Sequence, residues 1–163
     1  MEGGENTVGT GAYTFLGSYA HTVDDKGRII IPNPYRIPLG ATFTIGPTRD
    51  FQGIGLYPNE VFNKNLSDIL AMNQRKQVVQ KYLSQFAKLS YPDMQADTQG
   101  RLLLPSKIRQ RLLGEAKDLE ISGYIDHVRI VGNVKANDED TSFMDNLDTI
   151  LEQIGDMDIR HTV

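Results

Sequence analysis

One short pattern decides the fold, and the chain carries it twice. The first copy reads DDKGRIIIP at residues 24–32, and the second reads DTQGRLLLP at residues 97–105. Each copy has an aspartate, a glycine-arginine pair, three aliphatic residues and a proline, at a constant offset of 73 residues (97 − 24 = 73). Arg36 and Arg109 extend the match at the same offset. Shared features at one fixed spacing indicate an internal repeat.

The local chemistry of each copy predicts a tight turn that leads into a strand. The side chains of Asp24 and Asp97 can accept a hydrogen bond from the backbone amide two residues further on, which starts a turn. Gly27 and Gly100 supply the positive φ that a hairpin turn with a bulge requires. The three branched aliphatic residues then favour a strand, and the proline ends its hydrogen-bond ladder.

The residues at the tips of these turns are donors, and most of them are cationic. Lys26 and Arg28 occupy the first tip, and Gln99 and Arg101 occupy the second. Each turn therefore presents a donor-rich, cationic pair away from the sheet. An alternative gives each arginine a purely structural role, as the ion-pair partner of the aspartate four residues before it. The duplication favours a functional role, since a turn can be closed without arginine.

Composition limits the classes of protein that the chain can belong to. Its 163 residues allow one domain, or two small pseudo-repeats that share a core. The sequence contains no cysteine, which excludes disulfides, a thiolate nucleophile and a zinc–thiolate site. We expect residues 1–12 to form a disordered arm, because they are polar and rich in glycine and do not resemble a signal peptide. No apolar run approaches the roughly 20 residues that a membrane-spanning helix needs.

Charge is distributed unevenly along the chain. The net charge is −4, but residues 136–163 hold eight acidic residues and one arginine (net −7), and residues 1–12 hold two glutamates. Residues 13–135 are therefore left with a net charge of +5 (−4 + 7 + 2). A mildly basic body of this kind is compatible with DNA binding.

The order of the patterns predicts two similar halves. We expect a first half at 13–58, connecting helices at 59–90 and a second half at 91–135. An acidic linker at 137–141, an amphipathic helix and a fraying tail after Gly155 should then complete the segment 136–163. Each half reads as strand, turn, strand, short helix, strand, strand.

These residues resemble the MraZ family, within the AbrB/SpoVT/MazE superfamily of swapped-hairpin proteins. The run FLGSYAHTVDDKGR at residues 15–28 is similar to the family's first signature, and residues 97–105 are similar to its second. The segment LYP at residues 56–58 resembles the stretch that precedes the family's first long helix. The resemblance covers about residues 15–132.

The resemblance implies an α+β fold in which two AbrB-like halves form one pseudo-symmetric barrel with helices outside. It also implies a ring-like homo-oligomer that binds repeated boxes in promoter DNA and regulates the division and cell-wall gene cluster. Such a protein would be cytoplasmic and associated with the nucleoid, with no membrane partner. The family's DNA contacts are attributed to the turns, here Asp24 with Arg28 and Asp97 with Arg101. The resemblance therefore implies that the tip residues Lys26, Arg28, Gln99 and Arg101 contact DNA. Gln99 stands where the first copy has lysine, which leaves the second turn with less charge.

Two other functions were weighed against DNA binding. An antitoxin-like module of the same superfamily would use its acidic C-terminal segment to bind a basic protein, but such antitoxins resemble a single half. An enzyme is disfavoured because His21, His127 and His161 lie in unrelated contexts without metal-ligand spacing. The sequence therefore predicts no catalytic residues, no metal and no cofactor.

Overall fold

The computed structural model describes residues 15–162, which form a mixed α and β fold of eight strands and six helices. The predicted disordered arm, residues 1–12, lies outside the described residues. The strands are β1 (Ser18–Thr22), β2 (Arg28–Ile30), β3 (Phe43–Pro47), β4 (Ile54–Pro58), β5 (Tyr91–Met94), β6 (Arg101–Leu103), β7 (Asp118–Gly123) and β8 (Val128–Gly132). The helices are α1 (Asn33–Leu39), α2 (Asn59–Leu70), α3 (Gln77–Lys88), α4 (Ser106–Leu113), α5 (Asn133–Asp145) and α6 (Leu147–Thr162).

The strands of the two halves pair with each other. A six-stranded sheet has the order β1-β7-β8-β4-β3-β5, and a separate two-stranded sheet joins β2 to β6. All of these pairs are antiparallel. If each strand is exchanged for its counterpart in the other copy of the repeat (β1 for β5, β2 for β6, β3 for β7, β4 for β8), the pattern of neighbours is unchanged. The pairings β1–β7, β3–β5, β4–β8 and β2–β6 therefore interlace the two halves.

The expected single closed barrel is not confirmed. In the described residues, β1 and β5 are the two outer strands of an open sheet, and β2 and β6 pair only with each other. The three-residue length of β2 and β6 limits them to one short ladder. The boundaries proposed for the two halves stay a prediction.

One hydrophobic core is built from both halves. Ile29 and Leu102, the middle residues of β2 and β6, face inward and are almost fully buried. They join a cluster that also includes Phe15, Tyr35, Leu39, Ile45, Ile54, Leu56, Ile108, Leu119, Ile121, Val128 and Ile130. Each large apolar side chain that is fully buried in this way contributes about 1.5–3 kcal/mol relative to exposure.

The apolar faces of the two connecting helices form a second, smaller cluster. Val61, Phe62 and Ile69 from α2 pack with Phe86 of α3 and Tyr57 of β4. The rings of Phe62 and Phe86 are stacked, with centroids 5.7 Å apart. The helices predicted between the halves are thus present. The first buries Val61, Phe62 and Ile69, whereas the second buries Phe86 and leaves Val78 exposed.

The C-terminal segment is a separate compact unit that begins at Asn133. Here the structure differs from the sequence-based expectation. Residues 137–141 do not form a linker, because they lie inside α5 (Asn133–Asp145). The segment after Gly155 was expected to fray, but it is helical as far as Thr162, where α6 ends. No helix in the described part of the chain is long and apolar enough to cross a membrane.

Candidate nucleic-acid interface

The first turn is organised by the side chain of Asp24. Its Oδ1 atom accepts hydrogen bonds from the backbone amides of Lys26 (2.9 Å) and Arg28 (2.8 Å). Its backbone carbonyl accepts from the amide of Gly27 (3.0 Å), and its own amide donates to the carbonyl of Arg28 (2.9 Å). One residue therefore satisfies most of the polar backbone groups of the turn, which fixes its conformation.

The second turn repeats this arrangement atom by atom. The Oδ1 atom of Asp97 accepts from the amides of Gln99 and Arg101, both at 2.9 Å. Its carbonyl accepts from the amide of Gly100 (2.9 Å), and its amide donates to the carbonyl of Arg101 (2.9 Å). The sequence repeat is thus a repeat of local geometry as well.

The two glycines adopt the backbone conformation that was expected of them. Gly27 has a φ of 83° and Gly100 has a φ of 82°. These values lie in the left-handed region, where a residue with a Cβ atom is strained. Both glycines therefore have the positive φ that the predicted turn requires.

Hydrogen bonding favours the charged form of both turn aspartates. The backbone amide of Arg28 is the largest cause of the lowered pKa of Asp24, and its guanidinium lowers that pKa further. The backbone amide and then the guanidinium of Arg101 lower the pKa of Asp97 in the same way. Both carboxylates are therefore ionised at neutral pH, as acceptors of two amides each.

Each turn arginine forms an ion pair with its aspartate but uses only one nitrogen to do so. The Nε atom of Arg28 lies 2.8 Å from Oδ2 of Asp24, and the Nε atom of Arg101 lies 2.7 Å from Oδ2 of Asp97. The arginine side chains remain 37% and 45% exposed. Within residues 15–162 their terminal nitrogens have no hydrogen-bond partner. The structural ion pair thus exists, and it leaves the outer edge of each guanidinium available to a ligand.

A two-stranded ribbon joins the two turns. In the β2–β6 pair, Arg28 lies opposite Leu103, Ile29 opposite Leu102, and Ile30 opposite Arg101. The register is symmetric about its central pair, whose members are repeat counterparts (102 − 29 = 73). The turns therefore flank the ribbon at its two ends in equivalent positions.

Two exposed apolar residues complete the outer face of this ribbon, and sequence reasoning missed them. Ile30 is 44% exposed and Leu103 is 55% exposed, on the same side as the two arginines. The pattern of three aliphatic residues in a row did not reveal which of them would face outward. The structure buries the first and third aliphatic residues of each copy, Ile29 and Ile31 in the first, so strand alternation turns the middle one outward.

The backbones of the two turns are also connected across the ribbon. The amide of Ile31 donates to the carbonyl of Gly100 (2.8 Å), and the amide of Leu104 donates to the carbonyl of Gly27 (3.0 Å). Each turn is therefore held partly by the strand of the other half. The structure brings the predicted residues together as two turns on one ribbon, with Lys26 and Gln99 exposed at the tips.

The histidines do not form a site. His21 lies on β1 opposite Leu119, whereas the Nδ1 atom of His127 lies 2.8 Å from Oδ1 of Asp126 and its ring stacks on Tyr57. The side chain of His161 lies outside the described residues. In the part of the chain that the structure describes, no cluster of three or more possible metal ligands occurs.

These features define a class of protein: a duplicated strand–turn–strand fold with two matched Asp-x-x-Gly-Arg turns at the ends of a cationic ribbon. The model of the family "MraZ protein, putative antitoxin-like" matches residues 14–90, which include the first turn and both connecting helices.

Curated relatives match over more of the chain and are named transcriptional regulator MraZ. The relative from Lachnoclostridium phytofermentans is 32% identical over 143 residues, which are 87% of this chain and 96% of the relative. The relative from Natranaerobius thermophilus is 30% identical over 146 residues, 89% of this chain and 99% of that protein. A third, from Herpetosiphon aurantiacus, is 36% identical over 100 residues, 59% of this chain and 66% of that protein. The chain belongs to the MraZ family.

Proposed function

We propose that this protein is a sequence-specific DNA-binding regulator of transcription. The observation that carries the proposal is the β2–β6 ribbon, which presents two turns of matched backbone geometry with two arginines whose outer nitrogens are available. The relatives named as transcriptional regulators support the same conclusion. A transcriptional regulator is not an enzyme, and the turns offer contacts rather than a reacting group.

The dimensions of the ribbon suit the major groove of duplex DNA. A two-stranded ribbon is one of the elements that this groove, about 12 Å wide, admits. Arg28 and Arg101 are two ladder positions apart on neighbouring strands. That places their Cα atoms about 7 Å apart along the strands and about 5 Å apart across them. Both guanidiniums therefore reach the same short stretch of duplex when the outer face of the ribbon is turned toward it.

The side chains on this face match the chemistry of base edges and phosphates. A guanidinium donates two parallel hydrogen bonds to O6 and N7 of guanine, and it also binds phosphate. Ile30 and Leu103 stand beside the arginines and offer apolar contact to a thymine methyl group. Lys26 adds a phosphate-binding charge at the first tip, whereas Gln99 adds only neutral donors at the second.

The same proposal includes the assembly. We infer a ring-like homo-oligomer whose subunits combine the two halves as a swapped-hairpin barrel with helices outside, and which binds repeated promoter boxes of the division and cell-wall gene cluster. One ribbon makes few contacts, but several ribbons in one particle bind repeated boxes with a high effective concentration. Such a regulator would work in the cytoplasm, associated with the nucleoid. Light scattering should give a mass well above that of a dimer, and a monomer at micromolar concentration would contradict the ring.

A titration with DNA tests the proposed function directly. The full chain is titrated with labelled duplex from upstream of its own gene and with a scrambled duplex of equal length, at two salt concentrations. We expect tighter binding to the upstream duplex, with an affinity that falls as salt rises because phosphate contacts release counterions. Equal and weak binding to both duplexes would contradict a sequence-specific regulator.

A further inference from the structure

The repeat also includes two arginines, Arg36 and Arg109, that belong neither to the turns themselves nor to the outer face of the ribbon. Arg36 lies on α1 and Arg109 lies on α4, and each is only partly exposed. A Cβ atom added to Gly27 would lie 2.9 Å from Nε and 3.3 Å from Cζ of Arg109. A Cβ atom added to Gly100 would overlap the guanidinium of Arg36. Each guanidinium is thus packed against the turn glycine of the other half.

The contact between Arg36 and the second turn is part of a closed set of interactions. The Nε atom of Arg36 donates to the carbonyl of Ile31 (2.9 Å), while the amide of Ile31 donates to the carbonyl of Gly100 (2.8 Å). The guanidinium of Arg36, the backbone of Ile31 and the second turn are therefore connected to one another by direct contacts. Because Ile31 and Arg36 belong to the first half, the second turn is fixed from the first half.

The first turn has the same arrangement with one bond fewer. The amide of Leu104 donates to the carbonyl of Gly27 (3.0 Å), as its counterpart does in the other half. The Nε atom of Arg109, however, is buried without a hydrogen-bond partner among the described residues. Arg109 therefore contacts Gly27 through packing, and its burial is not explained by a hydrogen bond of its own.

We propose that Arg36 and Arg109 are positioning residues that act across the two halves: Arg109 sets the first turn, with Arg28, and Arg36 sets the second turn, with Arg101. A planar guanidinium suits this role because it lies flat against a glycine that has no Cβ atom. The effect on DNA rests on the proposed function, whereas the effect on the turns does not.

Hydrogen exchange in the full chain, read by mass spectrometry on peptides that cover 24–28 and 97–101, tests the positioning role without DNA. In Arg109→Ala we expect the first turn to exchange about tenfold faster, because its backbone opens locally, while the second turn is unchanged. Arg36→Ala should show the reverse. Gln110→Ala, an exposed neighbour on α4, is the matched control and should change neither turn.

A rival role makes different predictions in the same experiment. If each arginine acted within its own half, Arg109→Ala would affect the second turn, and that result would overturn the proposal. Equal acceleration in both turns would overturn it as well, because it would mean general destabilisation. If Arg109→Ala fails to fold, Arg109→Lys keeps the charge and the aliphatic stem but lacks the plane, and it should still accelerate exchange selectively at 24–28.

A double-mutant cycle on DNA affinity measures the coupling between Arg109 and the turn arginines through the proposed function. Arg109→Ala combined with Arg28→Ala should weaken binding little more than the larger single change, because both act through the first turn. When Arg109→Ala is combined with Arg101→Ala, the two fold-losses in DNA affinity should multiply, because the residues act through different turns. If the losses multiplied for Arg109 with Arg28 but not for Arg109 with Arg101, the assignment of Arg109 to the first turn would be refuted. If Arg28→Ala alone leaves DNA affinity unchanged, the proposed function fails, while the exchange result still decides whether Arg109 positions the first turn.

Discussion

Replacement of Arg28 by alanine separates the two roles that its side chain can have. The change removes the hydrogen bond between Nε and Oδ2 of Asp24, together with the two outer nitrogens. The turn itself keeps its backbone, because Oδ1 of Asp24 still accepts from the amides of Lys26 and residue 28. Exposed ion pairs contribute little to stability, so we expect the melting temperature to change by less than about 3 °C.

The expected loss of DNA affinity follows from what the outer nitrogens contact. If Arg28 binds a guanine edge, the loss is about 1–3 kcal/mol per site, or about 5- to 150-fold, and it disappears on DNA that lacks that guanine. If Arg28 binds phosphate, the slope of log K against log salt falls by about 0.9 for each lost contact. A ring with several ribbons on one DNA would amplify either loss, because every subunit carries the change.

The assay is a salt series of fluorescence anisotropy titrations on four proteins: the wild type, Arg28→Ala, Arg101→Ala and Arg75→Ala. Arg101→Ala should lose less affinity than Arg28→Ala, because Arg101 stands beside neutral Gln99 rather than Lys26. Arg75 is an exposed arginine in the loop between α2 and α3, and its removal controls for net charge. Unchanged DNA affinity with a clearly lowered melting temperature in Arg28→Ala would show that this arginine is only the structural partner of Asp24.

Two further substitutions and one comparison at two pH values test other parts of the structure. Gln99→Lys gives the second tip the charge of the first, and should raise DNA affinity and steepen the salt slope by about 0.9 per added phosphate contact. Tyr35→Phe removes the buried hydroxyl whose single hydrogen is shared between the carbonyls of Leu16 (2.9 Å) and Gly17 (2.8 Å). This change should cost about 1 kcal/mol, seen as a melting temperature about 2–4 °C lower. Because hydrogen bonds lower the pKa of Asp24 and Asp97 below the ordinary value of 3.8, their stabilisation of the turns is fully present above that value. This stabilisation should be lost only as the pH falls below 3.8. Hydrogen exchange, corrected for its intrinsic pH dependence, should therefore show the same protection of the turn amides at pH 5 and at pH 8.

The turns were predictable from sequence because the hydrogen bonds within each turn are local. The aspartate accepts from amides two and four residues further on, and the glycine supplies the positive φ within the same five residues. The strand that follows is likewise fixed by three branched residues and a proline. The mixed α and β class and the buried positions of α2 follow from patterns of similarly short range.

The partners of the strands were not predictable in this way. The sequence does not distinguish a sheet in which β1 pairs with β7 from one in which each half pairs within itself, because both bury the same apolar faces. The resemblance indicated interlaced halves, but the closed barrel that it also implied differs from the open sheet observed. The acidic stretch at 137–141 is predicted as a linker, whereas the structure includes it in α5. Of its five residues only Glu139 is a good helix former, so local propensity does not account for this helix.

The crossed arrangement explains why two unequal turns can share one geometry. The backbone of each turn is set by its aspartate, its glycine and the strand of the other half, and the structure matches these features on both sides to within about 0.2 Å in the hydrogen-bond lengths. The tip residues Lys26 and Gln99 enter this set only through their backbone amides, so their side chains do not affect the geometry of the turn. In a dimer of identical halves the two tips would be the same residue. A single chain with both halves allows them to differ, so its ribbon has a more cationic end at Lys26 and a less cationic end at Gln99. We therefore expect each ribbon to bind in one preferred orientation on its DNA, which suits boxes repeated in the same direction better than boxes that face each other.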